Sequence, residues 1–357
     1  MDKKTYNYYY GLLKTIAYEK QDHWDIFDSV YYDKIKNMDF LLNFRNNGIS
    51  NMLETGLPSQ ERFELIKKND NYNINYNQIE IKEILKRYNY LKKMIGDEVE
   101  NIPFNTNAGN PRHYAHDNKL LNFDDLYHIY ATWQINRFIK LENSIIKTVV
   151  EIGAGYGNFS HKFKTTNNNI KYIIIDLPEI LLLQHYYLLA NNNSYKIINL
   201  IDYKNKDIDI DNTDCDFILI PFNMYKNYNF KCDIIINKRS LGEMPKIILN
   251  DYFVWIQKNL KKDGLFYLVN RYAFTKSTDK NKLKDYPFDN NWEVILSQPQ
   301  WLQTHLHEFL LKRNFNNKIN ITELLKSFPD ETPPSGPIMD SNILDQKDWL
   351  KHQNITK

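Results

Sequence analysis

Cysteine is scarce in this chain of 357 residues, which contains only Cys215 and Cys232. Two cysteines are too few for a disulfide framework or for a zinc site made of cysteine alone. The two cysteines are compatible with a reducing compartment, although one disulfide between them is not excluded.

Long apolar segments are also lacking. The apolar runs at 173–175, 181–183 and 234–236 are short, whereas a membrane helix needs roughly 20 apolar residues. The N-terminal segment, MDKKTYNYYYGLLKTIAYEK, has no apolar core before a small-residue cleavage site, so no secretory signal is predicted. We therefore expect a soluble cytoplasmic protein without a membrane span.

The chain also lacks a large net charge of either sign. The chain has 46 lysines and arginines against 44 acidic residues, a net charge of +2. This excludes a global basic field of the kind that gathers nucleic acid or anionic membrane, although a local basic patch stays open. Aromatic residues make up 14% of the chain, enough to build a sizeable core. At roughly 150 residues per domain, the length predicts two domains.

The sequence pattern changes near residue 146. Before it, apolar residues recur at helical spacing within 79–95 and 121–141, and shorter helices are predicted near 5–19, 31–45 and 59–68. Residues 101–117, with two prolines and a glycine, are predicted to be a loop. After residue 146, short apolar strands alternate with helices. Strands are predicted at 148–152, 172–175, 195–200, 233–237 and 265–269, helices from about 158 and over 179–190 and 246–260, and an antiparallel pair at 292–297 and 307–312.

This alternation predicts an α/β fold, in which a Rossmann-like parallel sheet is covered by helices and ends in an antiparallel edge hairpin. We divide the chain into a mostly helical N-terminal domain, a sheet domain and an extension. The helical domain, 1–145, is expected to act as a substrate or lid domain. The sheet domain covers 146–315, and the C-terminal extension covers 316–357.

The strongest motif is Glu-Ile-Gly-Ala-Gly-Tyr-Gly at 151–157, which leaves a strand and enters a helix. Glycines there allow a sharp turn and the close approach of a ligand. The spacing differs from the dinucleotide fingerprint G-x-G-x-x-G, because Asn158 stands where its third glycine would be. No Lys-Ser/Thr follows, which excludes the phosphate loop of an NTPase. Asp176 ends the next strand, 23 residues after Gly153, close to the spacing of ~20 residues at which an acid can bind ribose hydroxyls.

Together these elements match the pattern of Rossmann-like methyltransferases that use S-adenosylmethionine (SAM). An acid before the turn suits the cationic amino group of SAM, and the ring of Tyr156 can face its sulfonium. The alternative is a strand-turn-helix whose glycines serve packing only. The predicted SAM-binding residues are Glu151, Gly153, Ala154, Gly155, Tyr156, Gly157, Asp176, Leu177 and Asn237.

Three stretches make the sequence similar to a family of bacterial sugar O-methyltransferases encoded among surface-glycan genes. They are 151–157, 176–188 and 237–245, and 109–111 is similar too. The similarity spans about 105–312. This resemblance implies SAM-dependent transfer of a methyl group to a sugar hydroxyl in surface-glycan biosynthesis, with a sugar or glycan precursor as the substrate.

A sugar hydroxyl is a weak acid, so a general base is expected. Glu243 follows the fourth strand, near where the acceptor should dock, although it could instead cap the helix that starts at Pro245. His305 and His307 lie two residues apart on the last strand and are expected to share a face. The base is left open among Glu243, His305 and His307.

Charged residues at the strand ends are candidates for substrate binding. Arg239 and Arg271 could bind a phosphate or carboxylate on a nucleotide-linked or lipid-linked sugar, or form salt bridges with nearby acids. His113 is assigned to the substrate as part of a lid loop. With His116 and Asp117 it could also ligate a divalent metal, but we predict no metal site.

Three other functions stay open. They are methylation of another small molecule, a catalytically silent SAM-fold interaction protein and, third, a dinucleotide oxidoreductase, which the glycine spacing disfavours. The presence of Glu151, three glycines and Asp176 together argues against a silent protein. No nucleic-acid partner is expected, and a homo-oligomer stays open.

Overall fold

The computed structural model describes residues 3–13, 38–45, 78–104, 108–202, 208–274, 280–314 and 321–333. The helix predicted near 59–68 lies outside the described residues, as does most of the predicted C-terminal extension. The chain forms two compact units. The first consists of 1–143 and 154–225, and the second of 144–153 and 226–357.

Helices dominate the N-terminal part of the first unit, as predicted. They are α1 (Lys3–Leu13), α2 (Met38–Leu41), α3 (Gln78–Ile95) and α4 (Phe123–Leu141). Asn122 caps α4, because its side-chain oxygen accepts a hydrogen bond of 2.7 Å from the Asp125 backbone. The predicted loop at 101–117 is wrong in one respect, since it contains the strand β1 (Tyr114–His116), which pairs with β2 (Lys119–Leu121).

Strands and helices alternate in the rest of the first unit. The order is α5 (Asn158–Thr166), β4 (Lys171–Asp176), α6 (Pro178–Asn191), β5 (Ile197–Asn199) and β6 (Phe217–Pro221). The strands are parallel, in the spatial order β4-β6-β5. Strand β6 was not predicted from the sequence, although all its residues are buried. It follows a segment rich in Asp and Asn and ends in proline, and residues of these types are typical of loops.

The second unit contains the rest of the strands. Parallel strands β3 (Thr148–Ile152), β7 (Cys232–Lys238) and β8 (Leu260–Arg271) pair side by side. Two antiparallel strands, β12 (Gln303–Arg313) and β11 (Trp292–Gln300), extend β8 to a sheet edge. The smaller elements are α7 (Ser240–Glu243), α8 (Lys246–Asn259), β9 (Ala273–Phe274), β10 (Asn281–Lys282) and α9 (Ile321–Lys326).

The α/β fold with a parallel-rich sheet and a C-terminal antiparallel hairpin is therefore confirmed. The hairpin is longer than predicted, because β11 and β12 take up most of 298–305, which was predicted to be a connection. The domain boundaries at 145/146 and 315/316 stay predictions. Within the described residues, no helix is both long and apolar enough to cross a lipid bilayer.

Candidate functional site

The glycine turn lies between β3 and α5, where the sequence places it. Gly153, Gly155 and Gly157 have φ values of +71°, +60° and +93°, a region that disfavours any residue with a Cβ. A Cβ on Gly153 would lie 2.4 Å from the Cβ of Ser240. Packing alone therefore requires glycine at position 153. This agrees with the alternative in which the glycines of the turn serve packing and no ligand is bound.

Asp176 ends β4, and its carboxylate is held from two sides. One oxygen accepts a hydrogen bond of 2.8 Å from the backbone N–H of Leu177, and the other accepts one of 2.7 Å from the Gln184 amide. The same amide nitrogen donates to the carbonyl oxygen of Gly155 at 2.6 Å. A single side chain thus connects the predicted ribose acid to the glycine turn.

Gln184 is a buried residue that was not among the site residues predicted from the sequence. Its side chain is fully buried, and its Oε1 has no hydrogen-bond partner within the described part of the chain. An unpaired buried amide oxygen is costly unless something binds there. The signal was present, because Gln184 directly follows the apolar run 180–183 in α6.

Tyr156 packs against side chains of the first unit. Its ring forms edge contacts with Phe44 and Tyr187, and the Arg45 guanidinium carbon lies 5.2 Å from the ring centroid. Its hydroxyl donates a hydrogen bond to Asp124. The ring thus already has a cation of the protein near one of its faces. The predicted contact between Tyr156 and a bound sulfonium stays a prediction.

A buried polar network ties α4 to the helix that follows the glycine turn. The Asn158 amide donates to Asp124 at 2.9 Å and to Asp125 at 3.0 Å. Lys162 forms a fully buried ion pair of 2.9 Å with Asp125. Burial raises the pKa of both carboxyls, but His128 beside Asp124, Lys162 beside Asp125 and hydrogen bonds outweigh it and hold each pKa below its usual value.

In the second unit, Asn237 at the end of β7 organises the loop that follows. Its amide donates to the Ile152 carbonyl at 2.9 Å and to the Ser240 hydroxyl at 2.6 Å. Its oxygen accepts from the Asn270 amide at 2.9 Å and the Leu241 backbone at 3.4 Å. The side chain is fully buried, so it positions the loop, and the structure favours this role over the predicted cofactor contact.

The loop after β7 also carries Arg239 and Glu243. Arg239 has a φ of +79°, which is unusual for a residue with a Cβ. Glu243 ends α7, whereas the N-cap of α8 is Pro245, so Glu243 does not hold the cap position that its alternative role required. Burial lowers the pKa of Arg271, the charge of Arg239 lowers it further, and Glu243 opposes both.

His307 lies on β12 in an enclosed position. Its Nδ1 is 2.9 Å from the Tyr272 hydroxyl, and its Nε2 is 2.9 Å from the Ser297 hydroxyl. Burial lowers the pKa of His307 to about 3. Both ring nitrogens are therefore engaged and protonation is unfavourable, which argues against His307 as the base. His305, two residues earlier, is half-buried.

His113 is exposed and lies before β1. Its Nδ1 is 3.1 Å from the Pro111 carbonyl oxygen. Nearby His116 and Asp117 approach each other to 3.5 Å. Among the described residues, no group of three or more His, Cys, Asp or Glu side chains is arranged to hold a metal ion.

No protein-family model matches this chain, and no curated protein matches it. Among solved structures, it is similar to the mitomycin 7-O-methyltransferase MmcR, at 11% identity and a TM-score of 0.34 over 53% of this chain and 57% of that one. It is also similar to the glycopeptide N-methyltransferase MtfA complexed with sinefungin, at 10% identity and a TM-score of 0.33 over 50% and 92%. A methyltransferase from Pyrococcus furiosus matches at 14% identity and a TM-score of 0.33 over 65% and 98%. The match to the first of these covers little more than half of that protein. At such TM-scores these similarities carry no argument about function.

Proposed function

We propose that this protein is a SAM-dependent O-methyltransferase that acts on a sugar hydroxyl of a surface-glycan precursor. The observation that supports it most is the link from Asp176 through Gln184 to Gly155. In this link, the side chain of Gln184 connects a carboxylate at the end of a parallel strand to a backbone carbonyl of the glycine turn. Ligands of such sheets bind outside the carboxyl ends of the strands.

The residues present fit SAM better than a dinucleotide. The turn lacks the third glycine of the dinucleotide fingerprint, because Asn158 stands at that position, whereas its backbone groups and the Asp176 carboxylate suit an amino-acid group and an adenosine. The buried Oε1 of Gln184 can accept a hydrogen bond from a ligand. Asp176 would hold the ribose, and the backbone of 153–157 would hold the amino-acid portion.

The helical N-terminal part is proposed to assist acceptor selection. Within the first unit, α4 is tied to α5 by the Asp125–Lys162 ion pair and the Asn158 hydrogen bonds. Because α5 begins directly after Gly157, this network holds a helix of the N-terminal part beside the end of the turn.

When bound, SAM supplies an activated methyl group on a sulfonium. The chain must orient the acceptor hydroxyl, exclude water and remove the hydroxyl proton. We assign proton removal to Glu243, since it lies on the loop that Asn237 and Ser240 hold in place and does not hold the α8 cap position. His305 is the second candidate.

Calorimetry on the purified protein tests the proposal, with SAM and NAD as the two ligands. We expect saturable SAM binding and no response to NAD. Binding of NAD without SAM would favour the oxidoreductase alternative instead, and binding of neither would remove the enzymatic assignment. Radiolabelled methyl transfer to a panel of sugars and non-sugar natural products then separates the sugar assignment from methylation of another small molecule.

A further inference from the structure

Two arginines stand side by side at the carboxyl ends of β7 and β8. The parallel register places Lys238 opposite Val269, and the Arg239 backbone N–H donates to the Val269 carbonyl at 2.7 Å. Arg271 follows two residues later, at the end of β8. Since paired strands lie about 4.8 Å apart, the two arginines share one end of this strand pair, and the charge of Arg239 is close enough to lower the pKa of Arg271.

The charge of this arginine pair is not neutralised by contact. Within the residues that the structure describes, neither guanidinium has a hydrogen bond or an ion pair with another side chain. Glu243 lies near enough to influence Arg271, so the three residues together keep a net positive charge. Both arginines are half-buried, and partial burial strengthens the attraction of such a pair for an anion.

The loop that carries Arg239 has a conformation that costs backbone energy. A positive φ in a residue with a Cβ persists only where surrounding contacts impose it, and such positions cluster at functional sites. Here the Gly242 N–H bonds to the Asn270 side chain at 3.3 Å, and the Gly242 carbonyl accepts from Asn281 at 3.2 Å. Together with the hydrogen bond from the Arg239 N–H to Val269, these contacts hold the backbone of the loop against the end of β8 before any ligand is bound.

We propose that Arg239 and Arg271 form a binding site for an oxyanion of the acceptor, so that the methylated sugar is an anionic one. Guanidinium groups match phosphate and carboxylate oxygens with paired hydrogen bonds. The oxyanion is either the phosphate of an activated sugar or the carboxylate of an acidic sugar. Glu243, four residues after Arg239, then lies beside the anchored group. The sugar part of this inference rests on the proposed function, whereas the oxyanion site does not.

The test is anion binding by the full-length protein without SAM. Inorganic pyrophosphate represents the phosphate source and glucuronate the carboxylate source, and each is titrated calorimetrically at constant ionic strength. Arg271→Gln removes one guanidinium. Lys262→Gln is the matched control, because Lys262 is an exposed cation in the same strand β8, about 20 Å or more from Arg271, since the six residue steps from 265 to 271 alone rise roughly 3.3 Å each.

We expect saturable binding of one of the two anions, weakened about tenfold or more in Arg271→Gln and changed less than about twofold in Lys262→Gln. Arg271→Lys keeps the positive charge but loses the paired N–H donors of the guanidinium, so it should bind the anion with intermediate affinity. This variant serves as the readout if Arg271→Gln does not fold. Binding of neither anion, or equal losses in the Gln variant and the control, overturns the site.

SAM binding is measured on the same samples. If the wild-type protein binds SAM but neither anion, the oxyanion site is refuted and the proposed function is retained. If it binds an anion through Arg271 but does not bind SAM, the oxyanion site is retained and the proposed function is refuted. The identity of the bound anion decides between a phosphorylated and a carboxylated acceptor.

Discussion

Asp176 is held by its neighbours before any ligand arrives. The Leu177 N–H and the Gln184 amide each donate to one of its oxygens, so the carboxylate does not have to reorganise to meet a ribose. Preorganisation of this kind saves the cost of ordering a side chain on binding. The role of Asp176 therefore depends on α6 as much as on its own strand.

Replacement of Asp176 by alanine is expected to weaken SAM binding by about 1–3 kcal/mol, the range for loss of a charged hydrogen bond. Calorimetry measures the change. Asp214→Ala is the control, because Asp214 is an exposed acid of the same unit. Equal affinities for wild type and Asp176→Ala would remove the ribose role.

Gln184 is expected to act partly through Asp176, because its amide nitrogen donates to that carboxylate. Gln184→Leu should weaken SAM binding in the wild-type background and have a smaller effect in an Asp176→Ala background, with a coupling free energy of about 0.5–3 kcal/mol. A double-mutant cycle of dissociation constants measures the coupling. Fully additive losses would contradict the action through Asp176.

Glu243→Gln is expected to lower turnover by about 10²–10⁴-fold while SAM affinity stays unchanged, since only proton removal is lost. Turnover is measured with the acceptor found in the sugar screen. Glu323→Gln is the matched control, because Glu323 is an exposed acid on helix α9. Should Glu243→Gln retain full turnover while His305→Asn loses it, the base is His305.

At the residue scale, the sequence shows chemistry better than it shows contacts. The glycine turn and Asp176 are recognisable because their spacing along the chain is constrained by one turn and one strand. The hydrogen bonds of Gln184 and the ring contacts of Tyr156 involve residues that are far apart in sequence. The periodicity of apolar residues does not identify such partners.

At the scale of elements, the tight contact between the glycine turn and α7 limits what the turn tolerates. Gly153 has a positive φ, and its Cα faces the Ser240 side chain with no space for a methyl group. Ser240 in turn donates a hydrogen bond of 3.0 Å to the Ile152 carbonyl. The end of β3 and the start of α7 are therefore one packed unit, whatever ligand the turn binds.

Gly153→Ala is expected to destabilise the protein by roughly 2–5 kcal/mol, from left-handed strain together with overpacking. Ser240→Gly in the same chain should restore part of this loss, because it removes the two atoms that clash. Denaturant midpoints measure both effects. Gly11→Ala is the control, since a Cβ there meets nothing within 4 Å. Failure of Ser240→Gly to restore any stability contradicts the packing explanation.

Sequence patterns predicted element types well where the local period is strong. Helix α8 and the strand pair β11–β12 were found because apolar residues recur at their characteristic spacing or alternate along the strand. Strand β6 was missed, since its short apolar run lies between a segment rich in Asp and Asn and a proline, which are signals of a loop. The length of β8 was missed too, because the stop signal at Gly264 lies within a strand that already begins at Leu260.

At the scale of the whole molecule, buried ionisable groups connect stability to pH. Burial is the largest cause that lowers the pKa of His161 and His185 to about 4 and of His307 to about 3. Unfolded histidine titrates near 6.5. Between these values the unfolded chain binds more protons, so stability is complete above about pH 6.5 and falls as the pH drops toward 4. The lowered pKa values of Asp124 and Asp125 extend this loss below about pH 4.

The melting temperature is therefore expected to fall between pH 7 and pH 4.5. His307→Gln should make this decrease smaller, because one buried group no longer takes up a proton on unfolding. Thermal melts followed by circular dichroism at several pH values measure the slope. His113→Gln, at an exposed position, should leave the slope unchanged, and an identical slope in all three proteins contradicts the assignment to His307.

The interleaving of the two units could not be found from local patterns. Residues 144–153 belong to the second unit, while the segments on both sides belong to the first. The change of pattern near residue 146 marks where strands begin, but helical and strand periods compare residues only a few positions apart. Which strands pair is decided by contacts between distant parts of the chain.

The pairing of β3 with β7 also has a consequence during translation. The Ile152 carbonyl accepts a hydrogen bond from the Asn237 amide, which is synthesised 85 residues later in the chain. At a synthesis rate of about 5–20 residues per second, β3 leaves the ribosome on the order of 4–17 seconds before its partner strand. During that time the N–H and C=O groups on the edge of β3 that later faces β7 have no β7 partner, and such an edge can pair with strands of other chains. The interval between the synthesis of β3 and that of β7 is therefore the period in which the second unit is most exposed to strand pairing between chains.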